Sequence, residues 1–224
     1  LLDAHGGTFT SSSAALGAIP DLAYHFGDQN LFRIRGGNDK LPSAMAKVLG
    51  NNIVLGAPVV AIRQSGRNVK VTVKDGREFT GDVVISTIPF TVLQDVAVAP
   101  AWSPRKKAMF EKMEWDKTVK VIVQTKSPSW LAKGVHGWPM AGSDQPWERL
   151  IDITGNEPGG FGNTFFYLNG ANAEALLKRP RETRAQDIVD RFRKDMPDLF
   201  DEVVLVREFA WSEQPWIRGS FGGP

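Results

Sequence analysis

The run Asn68-Val69-Lys70-Val71-Thr72-Val73, followed by Asp75-Gly76 and Glu78-Phe79-Thr80, constrains this chain more than any other feature. Alternation of apolar and polar residues puts every second side chain on one face of a half-exposed strand. Asp-Gly accepts the positive backbone torsions of a tight hairpin, so the chain reverses and pairs with itself. Antiparallel pairing is therefore built in locally, and an all-helical chain is excluded.

Other segments extend this pattern. Residues 53–55 lead into an extended run over 58–62, and 31–35 read as extended until Gly36-Gly37 breaks them. The continuous apolar run Val83-Val84-Ile85 predicts a buried strand, ended by Pro89. Residues 115–125 predict one long strand, with Val119, Val121 and Val123 on one face and Lys120 and Ile122 on the other. Further strands are expected over 150–154, 164–168 and 203–209. Helices are expected over 41–49, 103–113, 171–178 and 183–196, with short ones over 11–16 and 21–26. Asn38 or Asp39 is positioned to cap the first of these six in 41–49, Pro42 suits its first turn, and Gly50 stops it. Strands and helices do not alternate strictly. The class is α+β, with a mixed, largely antiparallel sheet of roughly five or more strands flanked by helices.

Composition removes several functions. The 27 basic residues are nearly balanced by 25 acidic ones, a net charge of +2, so no concentrated positive surface serves nucleic acid or anionic lipid. No run approaches the roughly 18 apolar residues of a membrane span. The chain starts Leu1-Leu2-Asp3-Ala4-His5, without Met, signal peptide or lipidation motif, and reads as starting inside a longer protein or at a processed or trimmed terminus. Cysteine is absent, which excludes thiol chemistry and disulfides and fits a cytoplasmic location. Three scattered histidines offer no metal cluster.

No standard catalytic motif is present. Gly160-Phe161-Gly162 precedes a strand rather than a helix, so it reads as a hairpin loop and not a dinucleotide fingerprint. Lys120 stands in the otherwise apolar Val119-Lys120-Val121-Ile122-Val123. Either it is a solvated lysine on an open face, which the pattern alone favours, or its buried stem lowers its pKa for chemistry. Trp211 and Trp216 are core residues, or else an aromatic wall for a flat ligand.

Several segments, taken in order, carry a resemblance. They are Phe32-Arg33-Ile34-Arg35-Gly36-Gly37-Asn38-Asp39-Lys40-Leu41-Pro42, Ala57-Pro58-Val59-Val60-Ala61-Ile62, Asp75-Gly76 and Asp82-Val83-Val84-Ile85-Ser86-Thr87-Ile88-Pro89. Then follow Pro100, Lys117-Thr118-Val119-Lys120-Val121, Trp130, and Trp211 through Gly219-Ser220-Phe221. In this order they resemble the flavin-containing amine oxidases, a family of monoamine, polyamine and L-amino-acid oxidases. The resemblance implies FAD, a small-molecule amine as substrate, and hydride transfer to the flavin with reoxidation by oxygen. It also implies roles. Val59 would touch the adenine end of FAD through its backbone, and Lys120 would hold a water near the flavin N5. Trp211 would flank the isoalloxazine, and Phe221 would stand where many members place a tyrosine beside the substrate amine.

Family members also carry a strand–GxGxxG–helix unit and a closing G-E-x-T segment, neither of which is found here. The resemblance therefore covers the substrate-binding portion, residues 31–224 after a lead-in over 1–30, and the Rossmann-type FAD domain is absent. Alone, such a chain is expected to bind FAD poorly and to be inactive. The missing FAD-binding segments would lie in cis or in a partner chain. Two other readings stay open: a non-enzymatic accessory domain, and one subunit of a split oxidase.

Overall fold

Two four-stranded sheets organise the chain in the computed structural model, which describes residues 34–135, 145–147, 149–155, 159–220 and 222–223. The helices expected over 11–16 and 21–26 lie outside the described residues, as does Phe221.

The first sheet is entered through helix α1 (Lys40–Leu49). Asp39 occupies its N-cap position without a side-chain hydrogen bond, while Asn38 Oδ1 accepts from the backbone N–H of Ile34 at 3.1 Å. Gly50 stops the helix at φ 53°, a torsion costly for other residues, and its N–H reaches back to Ala46 O. Strands β1 (Val59–Ser65), β2 (Asn68–Val73) and β3 (Glu78–Gly81) form an antiparallel meander. Strand β4 (Ala97–Ala99) joins β1 in parallel, giving the order β3-β2-β1-β4. Gly76, at φ 90°, closes the expected hairpin by donating to Val73 O at 2.9 Å.

Two expectations fail here. Val83 and Ile85 form no strand and are 78% and 85% exposed. A continuous apolar run is buried only where elements cover both its faces, and among the described residues no strand pairs with this one. Residues 53–55 likewise form no strand, and Leu55 is 84% exposed. Helix α1 buries no residue at all. After Pro89 comes a short helix, α2 (Phe90–Leu93), whose Leu93 packs with Val96 and Phe110 in a small core. Phe110 comes from α3 (Pro104–Lys112), where Ser103 Oγ accepts from the Lys106 N–H at 3.3 Å as the N-cap.

The long strand expected over 115–125 is two strands. These are β5 (Glu114–Trp115) and β6 (Val119–Thr125). Polar groups in the gap are committed elsewhere. Asp116 Oδ1 accepts from Lys117 N–H at 2.9 Å and Gly170 N–H at 3.2 Å, and Thr118 Oγ1 donates to Asn169 Oδ1 at 2.6 Å. Those contacts hold the start of a later helix, so ladder pairing stops there. A short helix, α4 (Ser129–Ala132), follows β6 and brings buried Trp130 into the core.

Strand β6 is central in the second sheet. With β7 (Arg149–Asp152), β8 (Gly162–Leu168) and β9 (Val203–Ala210) it makes the antiparallel order β7-β8-β6-β9. Helices α5 (Gly170–Leu177) and α6 (Arg181–Asp195) cover one face. A ribbon of β5 with β10 (Gly222–Gly223) completes the chain. The antiparallel bias is as expected, but the strands divide into two sheets of four and a pair, rather than one larger sheet.

Val119, Val121 and Val123 are fully buried, with Leu150, Phe166 and Leu168 beside them and Val189 and Phe192 of α6 above. Gly162 lies under Trp130. A Cβ there would sit 2.5 Å from Trp130 Cη2 and 2.7 Å from the backbone oxygen of Ser127. Gly162→Ala should therefore destabilise the fold by about 1–3 kcal/mol, an overpacking penalty, measured as a lowered urea midpoint. An unchanged midpoint would show that this corner relaxes freely.

Candidate active site

Period two in β6 separates two environments. Odd-numbered Val119 to Thr125 point into the core, and even-numbered Lys120, Ile122 and Gln124 occupy the half-buried opposite face. On that face Lys120 lies opposite Tyr167 of β8 and Phe209 of β9. Ile122 lies opposite Phe165 and Arg207, and Tyr167 lies opposite Arg149 of β7. The result is an aromatic platform with a lysine at its centre.

The Lys120 ammonium lies 5.1 Å from the Phe165 ring centroid and 5.7 Å from that of Tyr167, within cation–π range. Among the described residues no carboxylate pairs with it. Burial lowers its pKa from the usual lysine value. The ring quadrupoles keep the cation near the platform, while desolvation makes its proton easier to release or share. A lysine in this position can hold a water or move a proton at a ligand lying on the platform. The solvated-face alternative for Lys120 is thus replaced by a partly desolvated one.

Trp211 follows β9 in a single 3-10 turn (Trp211–Glu213). Its N–H donates to Thr118 O at 3.2 Å, and its ring lies 5.5 Å from Phe209. Because Phe209 faces Lys120 across the ladder, Lys120 and Trp211 belong to one patch. Trp216 is 62% exposed and is no core residue.

Of the other two expected site residues, Phe221 lies outside the described residues, and Val59 has no described contact with this patch. Val59 begins β1 in the first sheet, and its side chain packs on the Leu93, Val96 and Phe110 cluster. Near Phe221, Ser220 N–H donates to Asp116 O at 3.1 Å and Gly222 pairs with Trp115. Gly219 passes so close to Trp115 that a Cβ would meet its Cβ at 3.1 Å.

Phe165, Tyr167 and Phe209 were not singled out from sequence. The signal was there: residues 164–168 are bulky at both parities, more than a strand with one solvated face requires. The same face tests the fit of a flavin. Flat rings around a partly desolvated ammonium, with no carboxylate paired to it among the described residues, suit a planar ring system. No described glycine-rich loop leads from a strand into a helix to cradle a pyrophosphate, since Gly160-Phe161-Gly162 runs into β8. Among the described residues, this face has the chemistry of the ring end of such a cofactor, and no described loop has that of its phosphate end. Among the described residues no cluster of three His, Asp or Glu could hold a metal, and no helix is long and apolar enough to cross a membrane.

An aromatic and lysine-bearing sheet face thus lies opposite the helix-covered core. The profile of the flavin containing amine oxidoreductases matches residues 1–224, and the chain belongs to that family. A flavin-dependent L-tryptophan oxidase from Lentzea aerocolonigenes is 26% identical over 223 residues, covering 97% of this chain and 47% of the relative. Flavin-containing amine oxidase B from Homo sapiens is 24% identical over 188 residues, covering 83% of this chain and 36% of the relative. Among solved structures, a putrescine oxidase bound to putrescine superposes with a TM-score of 0.82 at 21% identity, over 100% of this chain and 52% of that one. The chain thus spans from about a third to half the length of these relatives.

Proposed function

We propose that the chain is the substrate-side portion of an FAD-dependent amine oxidase. The observation that carries this is the ammonium of Lys120, desolvated and without a carboxylate, at the centre of Phe165, Tyr167 and Phe209 with Trp211 beside them. When bound, FAD supplies the redox chemistry, accepting a hydride equivalent from the carbon that bears the amine and passing electrons to oxygen.

The chain's own residues bind, orient and handle protons. The aromatic face excludes water from one side of the reacting centre and keeps a planar group parallel to it. Lys120 Nζ holds a water at that centre and, with its lowered pKa, exchanges a proton with it. Trp211 would flank the cofactor's ring system. Val59 contacts the adenine end through its backbone, and Phe221 supplies an aromatic wall beside the substrate amine without the hydroxyl of a tyrosine.

The open apolar residues of α1 and of two neighbouring loops are compatible with the same reading. Val48 is 87% exposed, Leu55 84%, Val83 78% and Ile85 85%. These residues are the seat for the remaining FAD-binding segments of the oxidase, in cis or in a partner chain.

In the flavin-loaded whole protein, anaerobic mixing with a substrate amine should bleach the flavin absorbance. The 224 residues alone should purify colourless and form no hydrogen peroxide. The proposal falls if amino acids, polyamines and aromatic amines all leave the flavin oxidised, or if the chain alone retains stoichiometric FAD.

A further inference from the structure

Arg184 sits in α6 with a side chain only 2% exposed. A guanidinium is removed from water at high cost unless its donors are met. Here Nη1 and Nη2 donate to Glu213 Oε1 and Oε2 at 2.9 and 3.0 Å, a two-pronged fork. Its Nε lies 3.4 Å from Glu208 Oε2, close enough for ion pairing but not aligned as a hydrogen bond. Arg184 holds the Glu213 carboxyl below the usual carboxylate range, whereas burial raises that of Glu208. The strong partner is Glu213.

The position of the two carboxylates gives this cluster its meaning. Glu208 lies in β9 next to Phe209, and Glu213 is the last residue of the 3-10 turn that begins with Trp211. One guanidinium thus fastens the chain on both sides of Trp211 to a helix on the far side of the sheet. The turn spans three residues. Its described backbone bonds are the Trp211 N–H to Thr118 O and a Gln214 N–H to Trp211 O, both at 3.2 Å, and just beyond it the Ile217 and Arg218 N–H groups donate to Gln214 O at 3.1 and 3.0 Å. We propose that Arg184 is a positioning residue, fixing the orientation of the Trp211 ring against Phe209 from behind the sheet. Its relevance to catalysis rests on the proposed function, but the coupling itself does not.

Incorporating 5-fluorotryptophan into the flavin-loaded whole protein and recording fluorine NMR tests this. The Trp211 signal is identified by its loss in Trp211→Phe, and those of Trp130 and Trp147, deep in the core, by the same route. Arg184→Lys keeps the charge but not the fork, and Glu213→Gln keeps the shape but not the charge. Both should shift or broaden the Trp211 signal while Trp130 and Trp147 stay in place. The rate of flavin reduction should fall roughly tenfold or more, as expected for a misplaced group near a reacting centre. An unmoved Trp211 signal in both variants overturns the proposal, and so does a change that spreads equally to Trp130 and Trp147, because the role would then be general stability. If the Trp211 signal moves but Trp211→Phe reduces its flavin at the parental rate, the positioning stands and the assignment of Trp211 to the flavin site fails. Should Arg184→Lys not fold, Glu213→Gln alone decides by the same signals.

Discussion

Lys120→Met in the flavin-loaded whole protein should slow flavin reduction by roughly 10²-fold or more, the usual cost of losing a positioned acid–base group. Methionine preserves the length and volume of the stem, so packing between Phe165 and Tyr167 survives and the fold changes little in stability. The pH dependence supplies a second signature. Lys120 has a lowered pKa when folded, so between that value and the ordinary 10.5 the unfolded chain carries more protons than the native one. Lys120 thus opposes folding below this window, and its penalty is relieved as pH rises through it. In Lys120→Met that gain should vanish. Anaerobic stopped-flow reduction and melting curves over alkaline pH measure the two effects. Reduction within a few-fold of the parent, with FAD still bound, would return Lys120 to an ordinary sheet lysine.

Phe192→Ala should cost about 3–5 kcal/mol, the range for deleting a buried aromatic ring that its neighbours cannot replace. The Phe192 ring is fully buried, 4.5 Å from that of Phe200, 5.2 Å from Phe166 and 5.9 Å from Trp147, centroid to centroid. It joins α6 to Phe166 of β8, to Trp147 and to Phe200. At about 2–4 °C per kcal/mol for a domain of this size, the melting temperature should drop by roughly 10 °C. A loss below about 1 kcal/mol in denaturant titration would mean that this core closes over the vacancy.

Local signals were legible wherever local physics decides. Alternation over Asn68–Val73 and Ser103 before Pro104 each set an element whose observed bounds match or nearly match those expected. Burial of Val119, Val121 and Val123 against half-exposure of Lys120 and Ile122 also follows from period two alone. What escaped depended on distant partners. An apolar run such as Val83–Val84–Ile85 says nothing about whether a second layer covers it. The break between Trp115 and Val119 arises because Asp116 is held by Gly170, far along the chain. The state of Lys120 could not be decided from its own strand, since the rings that desolvate it belong to β8. The fork of Arg184 on Glu213 joins a helix to a turn, and no sequence spacing announces such a pair.

The two-sided construction of β6 also acts as a gauge on where its lysine can be. A slip of one residue in the ladder would carry Lys120 into the sealed core and expose Val119 or Val121 on the platform. A charge taken into that layer would lose its water, at a cost to stability. Sequence change is filtered accordingly. Insertions or deletions between Val119 and Thr125 should destabilise the fold, whatever happens to chemistry. Side chains at Ile122, Gln124, Phe165 and Phe209, by contrast, can be exchanged without touching the packed layer beneath. The open face can therefore vary while the ruler that locates Lys120 stays intact.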